Sequence, residues 1–234
     1  EDAFGVENVH IPFSVMVGLA HTLRENHFSV CVKGELTENA FHCMEVCAPE
    51  DTAIVGCAID IGTTTVTMVL TDLETGKLLA KGSSGNGQIR YGADVINRII
   101  EQGKPGGRKK LQDSILKETL IPIIANLCKT AKISARSTLR LSVGANTTMN
   151  HLFVGVDAAS VRMEPYVPSF FHWDGLLAGD LKLPANPLAP VLIAPNIGSY
   201  VGGDITAGTL ASGIWDKDEM SLFIDLGTNG EIVF

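Results

Sequence analysis

The sequence has few cysteines, and no two of them are spaced as metal ligands usually are. They are Cys31, Cys43, Cys47, Cys57 and Cys128, and no Cys-x₂-Cys pair occurs. The nearest two, Cys43 and Cys47, would stand ~13 Å apart on one face of a strand, too far for a disulfide or a shared zinc ion. An odd number of cysteines on apolar segments fits buried free thiols better than a secreted disulfide framework. The pattern therefore argues against a zinc or iron–sulfur site within this chain.

Long apolar runs and blocks of basic residues are also missing. The 234 residues carry a formal net charge of −8, so we expect neither nucleic acid nor an anionic membrane as the main partner. No stretch is apolar enough to span a bilayer, and the N-terminus lacks the basic-then-apolar pattern of a signal peptide. With 45% hydrophobic residues, the composition predicts one or two globular domains. The lack of a spanning segment and of a signal pattern makes a cytoplasmic setting the default expectation.

The motif around which the chain is organised lies in residues 58–72. Apolar β-formers stand on both sides of the polar segment 60–65, Asp-Ile-Gly-Thr-Thr-Thr, which predicts two strands joined by a tight turn. Gly62 can let a phosphate approach the backbone, and the threonines that follow it can donate N–H and hydroxyl groups. Asp60 can hold a hydrated Mg²⁺. An ordinary Asp-Gly turn is the alternative interpretation.

The same pattern occurs a second time near the C-terminus. Residues 222–234 repeat the order apolar, Asp225, apolar, Gly-Thr, followed by apolar β-formers. Two such hairpins suggest an internally duplicated architecture. A phosphate chain clamped between the two Gly-Thr corners is the use that this duplication indicates.

Residues 1–52 predict a small unit of their own. A helix is expected over residues 12–25, with Pro12 in its first turn, followed by strands at 28–32 and 41–47. One helix and a hairpin bury too little apolar surface to fold alone. We therefore expect this unit to dock on the main body or, alternatively, on a second copy in a homodimer.

From residue 53 the predicted order is βββαβαβα. Three antiparallel strands, the third at 77–81, precede helices, further strands and an irregular excursion at 155–190, whose aromatic residues offer an alternative reading as a partner-facing surface. The remaining elements are helices near 88–99, at 108–131 with a kink or an early end at Pro122, from 147 and at 198–213, and strands at 139–143 and 191–194. This order favours an α/β fold with a mixed sheet whose ligands collect at the carboxyl ends of the strands.

The order and the two corners resemble the actin, sugar-kinase and heat-shock-chaperone ATPase superfamily, whose lobes face each other across an ATP cleft. A closer resemblance is to the reductive activators of corrinoid proteins, and it covers nearly the whole chain. It is carried by five strings, at residues 58–65, 88–95, 146–149, 201–204 and 224–231. The resemblance implies a ribonuclease-H-like first lobe over residues 53–213, the start of a second lobe at 214–234, and a linker unit at 1–52.

The resemblance also implies a function. These activators return an oxidised Co(II) corrinoid to the methyl-accepting Co(I) state with an electron from a [2Fe–2S] ferredoxin-like domain, coupled to ATP hydrolysis. The ferredoxin-like cysteines are absent here, and most of a second lobe would lie beyond residue 234. We therefore expect this chain to be part of a longer protein and to have little activity by itself, with a corrinoid protein and the ferredoxin-like domain as partners.

On this reading ATP and Mg²⁺ bind between the two corners. Asp60 and Asp225 would hold the waters of the metal. Asp204 lies at the start of the helix that connects the lobes and would orient the attacking water. A helix-cap role is the alternative for Asp204. The residues expected to contact phosphate are Gly62, Thr63, Thr64, Thr65, Gly227, Thr228, Asn229 and Gly230.

Two other functions remain open from the sequence. A small-molecule kinase of the same superfamily would use Asp204 as a base on a substrate hydroxyl. A non-catalytic interaction or dimerisation module would bind phosphate weakly or not at all. Phosphate release and ATP binding distinguish these readings.

Overall fold

The N-terminal residues form a small sheet covered by one helix in the computed structural model, which describes residues 5–228 and 230–234. The elements are β1 (Asn8–His10), α1 (Phe13–Glu25), β2 (Cys31–Leu36) and β3 (Ala40–Cys47). Strand β3 lies in the centre, parallel to β1 and antiparallel to β2. The short strand β1 was not predicted. The predicted strand at 28–32 was misplaced, because His27 and Phe28 adopt left-handed φ angles that end α1 and delay the strand.

Polar contacts join this N-terminal unit to the rest of the protein. The Lys33 side chain is 1% exposed; its Nζ lies 2.7 Å from Asp51 Oδ1 within the unit and 3.5 Å from Ser137 Oγ of the main body. Arg136 Nε donates to Glu45 Oε1 at 2.6 Å. The unit thus docks on the main body, which was one of the two arrangements predicted.

A mixed five-stranded sheet forms the centre of the main body. Its order is β6-β5-β4-β7-β8, with β4, β5 and β6 antiparallel and with β7 and β8 parallel to β4. The bounds are β4 Val55–Ile61, β5 Thr65–Asp72, β6 Leu78–Gly85, β7 Thr138–Ala145 and β8 Val191–Ile193. The mixed sheet was predicted correctly, although β6 runs four residues past its predicted end at Lys81.

The helices between β6 and β7 cover one face of this sheet. They are α2 (Val95–Gln102), α3 (Gly107–Ile115) and α4 (Ile121–Ala131). The predicted helix at 108–131 is interrupted by a π-helical turn at Leu116–Leu120, and Pro122 lies in the first turn of α4, where a proline is tolerated. The segment 88–99 leads into a helix, as predicted: α2 begins at Val95, after a 3₁₀ turn at Gly87–Tyr91.

The remaining elements place the second corner beside the first. They are α5 (Thr147–Val154), α6 (Gly203–Ser212), β9 (Phe223–Leu226) and β10 (Gly230–Val233). Helix α6 starts later than the predicted residue 198, because the N–H groups of Ile197 and Gly198 both donate to the Val201 carbonyl in a turn. The segment at 155–190 is irregular, as predicted, with one 3₁₀ turn at Ala159–Arg162. Over the described ranges we find no helix with the length and apolarity needed to cross a bilayer.

Candidate functional site

The first corner is the turn between β4 and β5. A Cβ on Gly62 would lie 2.5 Å from the Thr65 carbonyl oxygen, so the hairpin excludes any side chain at this position. The space beside Gly62, which we predicted a phosphate would approach, is thus already occupied by the backbone of the turn. Asn86 supports this turn from behind, because its Nδ2 donates to the Gly62 carbonyl at 2.9 Å and its backbone N–H to the Thr64 carbonyl at 2.8 Å.

Two further side chains hold Thr63. Arg98 Nη2 donates to the Thr63 carbonyl at 2.5 Å, and Asn146 Nδ2 donates to the Thr63 hydroxyl at 3.0 Å. Asn146 is also the N-cap of α5, where its Oδ1 accepts from the Met149 N–H at 2.9 Å. The string at 146–149 and the two residues that flank the string at 88–95, Asn86 and Arg98, therefore lie around the first corner.

The second corner joins β9 to β10, and its acidic residues face each other across the hairpin. Asp225 and Glu231 are directly opposed in the antiparallel register. Gly227 and Thr228 form the corner itself; Asn229, one of the predicted phosphate contacts, lies outside the described residues.

The two corners meet across a cleft. Thr64 Oγ1 lies 3.0 Å from Thr228 Oγ1, and a cavity of about 240 Å³ opens beside this contact. The cavity is lined by Asp60, Gly62, Thr63, Thr64, Thr65, Asn146, Asp204, Asp225, Gly227, Thr228 and Glu231. Gly230, which was predicted to contact phosphate, opens β10 and is not among these residues.

Close backbone packing brings Asp204 to the cleft. A Cβ on Gly202 would lie 2.4 Å from Asn146 Cα, and one on Gly203 would lie 2.3 Å from the Ala194 carbonyl oxygen. These two glycines let the start of α6 pack against the segments after β7 and β8. Gly202 occupies the N-cap position, so Asp204 lies inside the first turn, where its Oδ1 accepts from the Ile205 N–H at 2.9 Å. From this position its carboxylate satisfies an N–H group of the first turn, so a helix-cap role remains the alternative for Asp204.

Burial and neighbouring negative charges raise the pKa values of three carboxylates of the cleft. Burial, and then the charges of Asp204 and Asp225, raise the pKa of Asp60. Burial raises the pKa of Asp204. A hydrogen bond from the Ile205 N–H opposes this rise, and the charge of Asp225 adds to it. Burial and the charges of Asp204 and Asp225 raise the pKa of Glu231. No lysine or arginine from the described ranges lines this cleft, so a bound cation would relieve the repulsion.

The structure also bears on how such a cation would be held. Within residues 5–228 and 230–234, no three His, Cys, Asp or Glu side chains are arranged to ligate a metal ion together. A hydrated Mg²⁺ does not need such a group, because it keeps several waters and takes one or two carboxylates with phosphate oxygens. The separate carboxylates of the cleft therefore fit the predicted contact through water.

Sequence reasoning missed four residues of this site. Glu231 and Asn146 line the cleft, and Asn86 and Arg98 support it from behind. Strand alternation could have identified Glu231, because it lies opposite Asp225 in a hairpin that was predicted. Arg98 left no comparable signal, because its contact with Thr63 spans 35 positions.

A second cavity of about 480 Å³ adjoins the carboxylates on their other side. It lies between the central sheet and the α6–β9 segment, and it shares Asp60, Asp204 and Asp225 with the cleft. Phe223 and Val69 are among the apolar residues that line it.

Comparisons with known proteins give the following matches. The family model described as RACo middle region matches residues 55–217. The corrinoid activation enzyme RamQ of Eubacterium limosum is 39% identical over 180 residues, which are 76% of this chain and 30% of that protein. A solved structure of a reductive activator for a corrinoid, iron-sulfur protein has a TM-score of 0.84 and 38% identity, over 96% of this chain and 36% of that one. The chain spans about a third of the length of these two relatives.

Proposed function

The chain belongs to the RACo middle region family, and we propose that it forms the nucleotide-binding part of a longer protein that reactivates corrinoid proteins. In this proposal the whole protein returns a Co(II) corrinoid to the Co(I) state that accepts a methyl group, and ATP hydrolysis supports this uphill reduction. The observation that carries the nucleotide assignment is the contact of the two Gly-Thr corners beside a cleft with four carboxylates.

We further propose that residues 53–213 are a ribonuclease-H-like lobe of the actin-like ATPase fold, that residues 214–234 begin a second lobe, and that residues 1–52 are a linker unit. The strand order, with three antiparallel strands followed by two parallel ones, supports this division. The position of the β9–β10 hairpin opposite the first corner supports it as well.

The proposed phosphate site lies between the corners. The N–H and hydroxyl groups of the first corner donate to phosphate oxygens from one side, and those of Gly227 and Thr228 donate from the other. We assign the same role to Asn229 and Gly230 from the sequence alone. Such fixed donors stabilise the charge of a phosphoryl group in transfer without reorganising during the reaction.

The carboxylates complete the site. Asp60 and Asp225 would hold Mg²⁺ through its waters, and Asp204 would orient the water that attacks the terminal phosphate. The raised pKa of Asp204, due first to burial, suits a group that accepts a proton during that attack. Bound Mg²⁺ would supply positive charge that offsets the negative charge of the phosphates.

Electron transfer is assigned to another part of the longer protein. The five cysteines are all free thiols, and burial raises the pKa values of Cys43, Cys47, Cys57 and Cys128. Among the described residues, no three cysteine, histidine, aspartate or glutamate side chains are grouped as ligands, which does not suit a [2Fe–2S] cluster with its four clustered ligands. We therefore propose a ferredoxin-like domain and a corrinoid protein as partners, a cytoplasmic setting, and a homodimer as an arrangement to be tested.

Phosphate release tests this function directly. The full-length protein should hydrolyse ATP slowly by itself and several-fold faster when a corrinoid protein is added. Asp204→Asn should reduce the rate of hydrolysis by about 10²-fold or more, because a positioned proton acceptor typically contributes about 10²–10⁴-fold to the rate. A hydrolysis rate that does not change with the corrinoid protein but rises with a sugar or another hydroxyl compound would instead favour a small-molecule kinase. The cavity of about 480 Å³ beside Asp204 offers room for such a substrate.

A further inference from the structure

A buried arginine lies directly behind the first corner. Arg98 is in α2 and is 0% exposed. Besides the Thr63 carbonyl, its guanidinium donates from Nε to the Gly92 carbonyl at 2.9 Å and from Nη1 to Gln88 Oε1 at 3.4 Å, and Nη1 lies 3.1 Å from Met149 Sδ. None of these partners is negatively charged.

The positive charge of Arg98 is therefore buried without an ion pair in the part of the chain that the structure describes. Burial lowers its pKa to about 10, partly offset by the charge of Asp94, so the group stays protonated at neutral pH. A buried charge without a counter-ion is costly. An anion bound in the cleft at the first corner, next to the Thr63 residue that Arg98 contacts, would provide the missing negative charge.

The arginine is also held rigidly. Gln88, which is 1% exposed, is fixed by its Nε2 bond to the Leu111 carbonyl at 2.9 Å. A Cβ on Gly92 would lie 2.8 Å from the Arg98 nitrogen and 3.0 Å from its Cγ, so the backbone packs directly on the arginine. The guanidinium therefore has little freedom to move away from Thr63.

The contact with Thr63 fixes the direction of a donor. In a trans peptide the C=O and the following N–H point in opposite directions. Because Arg98 binds the Thr63 carbonyl from the protein interior, the Thr64 N–H points the other way, on the side where Thr64 lines the cleft. Asn86 acts likewise on the carbonyls of Gly62 and Thr64, and so directs the N–H groups of Thr63 and Thr65.

We propose that Arg98 is a positioning residue for polyphosphate recognition: it orients the Thr63–Thr64 peptide towards the ligand, and its unpaired charge offsets the four carboxylates that would otherwise repel an anion. This inference rests on the proposed function in placing the phosphates at the corners. It goes beyond that function because Arg98 does not line the cleft and contacts no ligand itself.

The role predicts a dependence on ligand charge that a purely structural residue would not produce. Arg98→Met removes the charge and the hydrogen bonds, whereas Arg98→Lys keeps the charge but loses the planar fork. Arg90→Met is the matched control, because Arg90 lies on the neighbouring 3₁₀ turn but is exposed and paired with Glu118. Removing a buried charge near a multiply charged ligand is expected to weaken binding by about tenfold or more.

The test is calorimetry on the full-length protein with Mg²⁺ and, in turn, ATP, ADP, AMP and inorganic triphosphate. Arg98→Met should bind ATP and triphosphate about tenfold more weakly, ADP less so and AMP almost unchanged, with Arg98→Lys in between and Arg90→Met like wild type. Unchanged triphosphate binding by Arg98→Met, or an equal loss for all ligands, would overturn the proposal. If Arg98→Met does not fold, the same ordering in Arg98→Lys is required. Wild type that binds triphosphate but not ATP would refute the proposed function and leave this inference standing.

Discussion

The hydroxyl oxygen of Thr64 lies 3.0 Å from that of Thr228, although the two residues are 164 positions apart in the sequence. This contact joins the tips of two hairpins that share the pattern Asp-apolar-Gly-Thr. It places Asp60 and Asp225 on opposite walls of the same cleft. A phosphate oxygen between the corners would take the place of this bond by accepting from both hydroxyls, which is why the pair marks the centre of the proposed site.

Gly62→Ala should destabilise the protein, because the new Cβ would meet the Thr65 carbonyl oxygen at 2.5 Å. We expect the free energy of unfolding to fall by about 1–3 kcal/mol, the usual cost of forcing atoms into a packed site. Urea denaturation measures it. Gly85→Ala is the matched control, because a Cβ there meets nothing within 4 Å. Equal stability of the two variants would contradict the tight turn.

Asp204→Asn should stabilise the protein while it removes turnover. Asp204 adds negative charge to a cleft that already holds Asp60, Asp225 and Glu231, and burial with this repulsion raises its pKa. Loss of the charge should raise the free energy of unfolding by about 0.5–1 kcal/mol at pH 7 in the absence of Mg²⁺. The amide oxygen can still accept from the Ile205 N–H.

The measurement is thermal or urea unfolding of wild type and Asp204→Asn, each with and without Mg²⁺. The advantage of the variant should shrink when Mg²⁺ is added, because the cation offsets the repulsion in wild type. A variant that is less stable than wild type without Mg²⁺ would show that the carboxylate is held by favourable contacts rather than by repulsion.

Lys33→Met should destabilise the N-terminal unit at the side that faces the main body. The ammonium of Lys33 is buried and lies 2.7 Å from Asp51 Oδ1 and 3.9 Å from Glu45 Oε2 within the unit, and 3.5 Å from Ser137 Oγ of the main body. Its removal leaves Asp51 without its cationic partner, whereas Glu45 keeps its pair with Arg136. Breaking a buried pair on one side typically costs about 3–5 kcal/mol, and we expect the lower part of that range because Asp51 is 37% exposed. Proteolysis near residue 50 should also accelerate.

The matched control is Lys109→Met, which breaks an exposed pair with Asp113 and should change the free energy of unfolding by less than about 1 kcal/mol. A Lys33→Met variant as stable as this control would contradict the stabilising role of the buried Lys33–Asp51 pair.

His151 should make stability depend on pH. Its Nδ1 lies 2.7 Å from the Thr147 carbonyl, and its Nε2 lies 3.0 Å from the N–H nitrogen of Ser169. The carbonyl needs a donor and the N–H needs an acceptor, so the ring is the neutral tautomer with its proton on Nδ1. Burial lowers its pKa, opposed by the hydrogen bond to Thr147 and by the charge of Asp157.

The folded-state pKa of His151 thus lies below the unfolded value of about 6.5. The unfolded chain binds more protons as the pH falls through this value, so the stability contributed by the neutral ring is present above it and is lost below it. Urea denaturation at pH 7.5 and pH 5.5 measures the loss. His151→Gln should reduce the pH dependence, whereas the exposed His21→Gln should leave it as in wild type; the same pH dependence in both variants would contradict the assignment.

Local pattern predicted much of the fold. The hairpins around Asp60 and Asp225 were found because strand-forming residues alternate on both sides of a turn, and this signal needs no information from distant residues. The long α-helical pattern between residues 108 and 131 was also found, but its π-helical turn at Leu116–Leu120 was not. Within a continuous apolar pattern, one wider turn leaves the periodicity almost unchanged.

The parts that could not be predicted depend on contacts between distant segments. The start of α6 was placed too early because the preceding turn is set by hydrogen bonds to the Val201 carbonyl. The support of the first corner by Asn86, Asn146 and Arg98 needed the packed structure, since each of these residues lies more than 20 positions from the carbonyl or hydroxyl that it holds. The sequence thus predicted many of the residues that line the cleft, but not what holds them in place.

Calorimetric titration of the full-length protein with ATP in the presence of Mg²⁺ tests the central claim most directly. The account predicts that wild type binds ATP, that omission of Mg²⁺ weakens binding, and that Asp60→Ala weakens binding by about tenfold or more through loss of the metal's water contacts. Absence of binding by both wild type and Asp60→Ala would contradict the account and would favour an interaction module without a nucleotide.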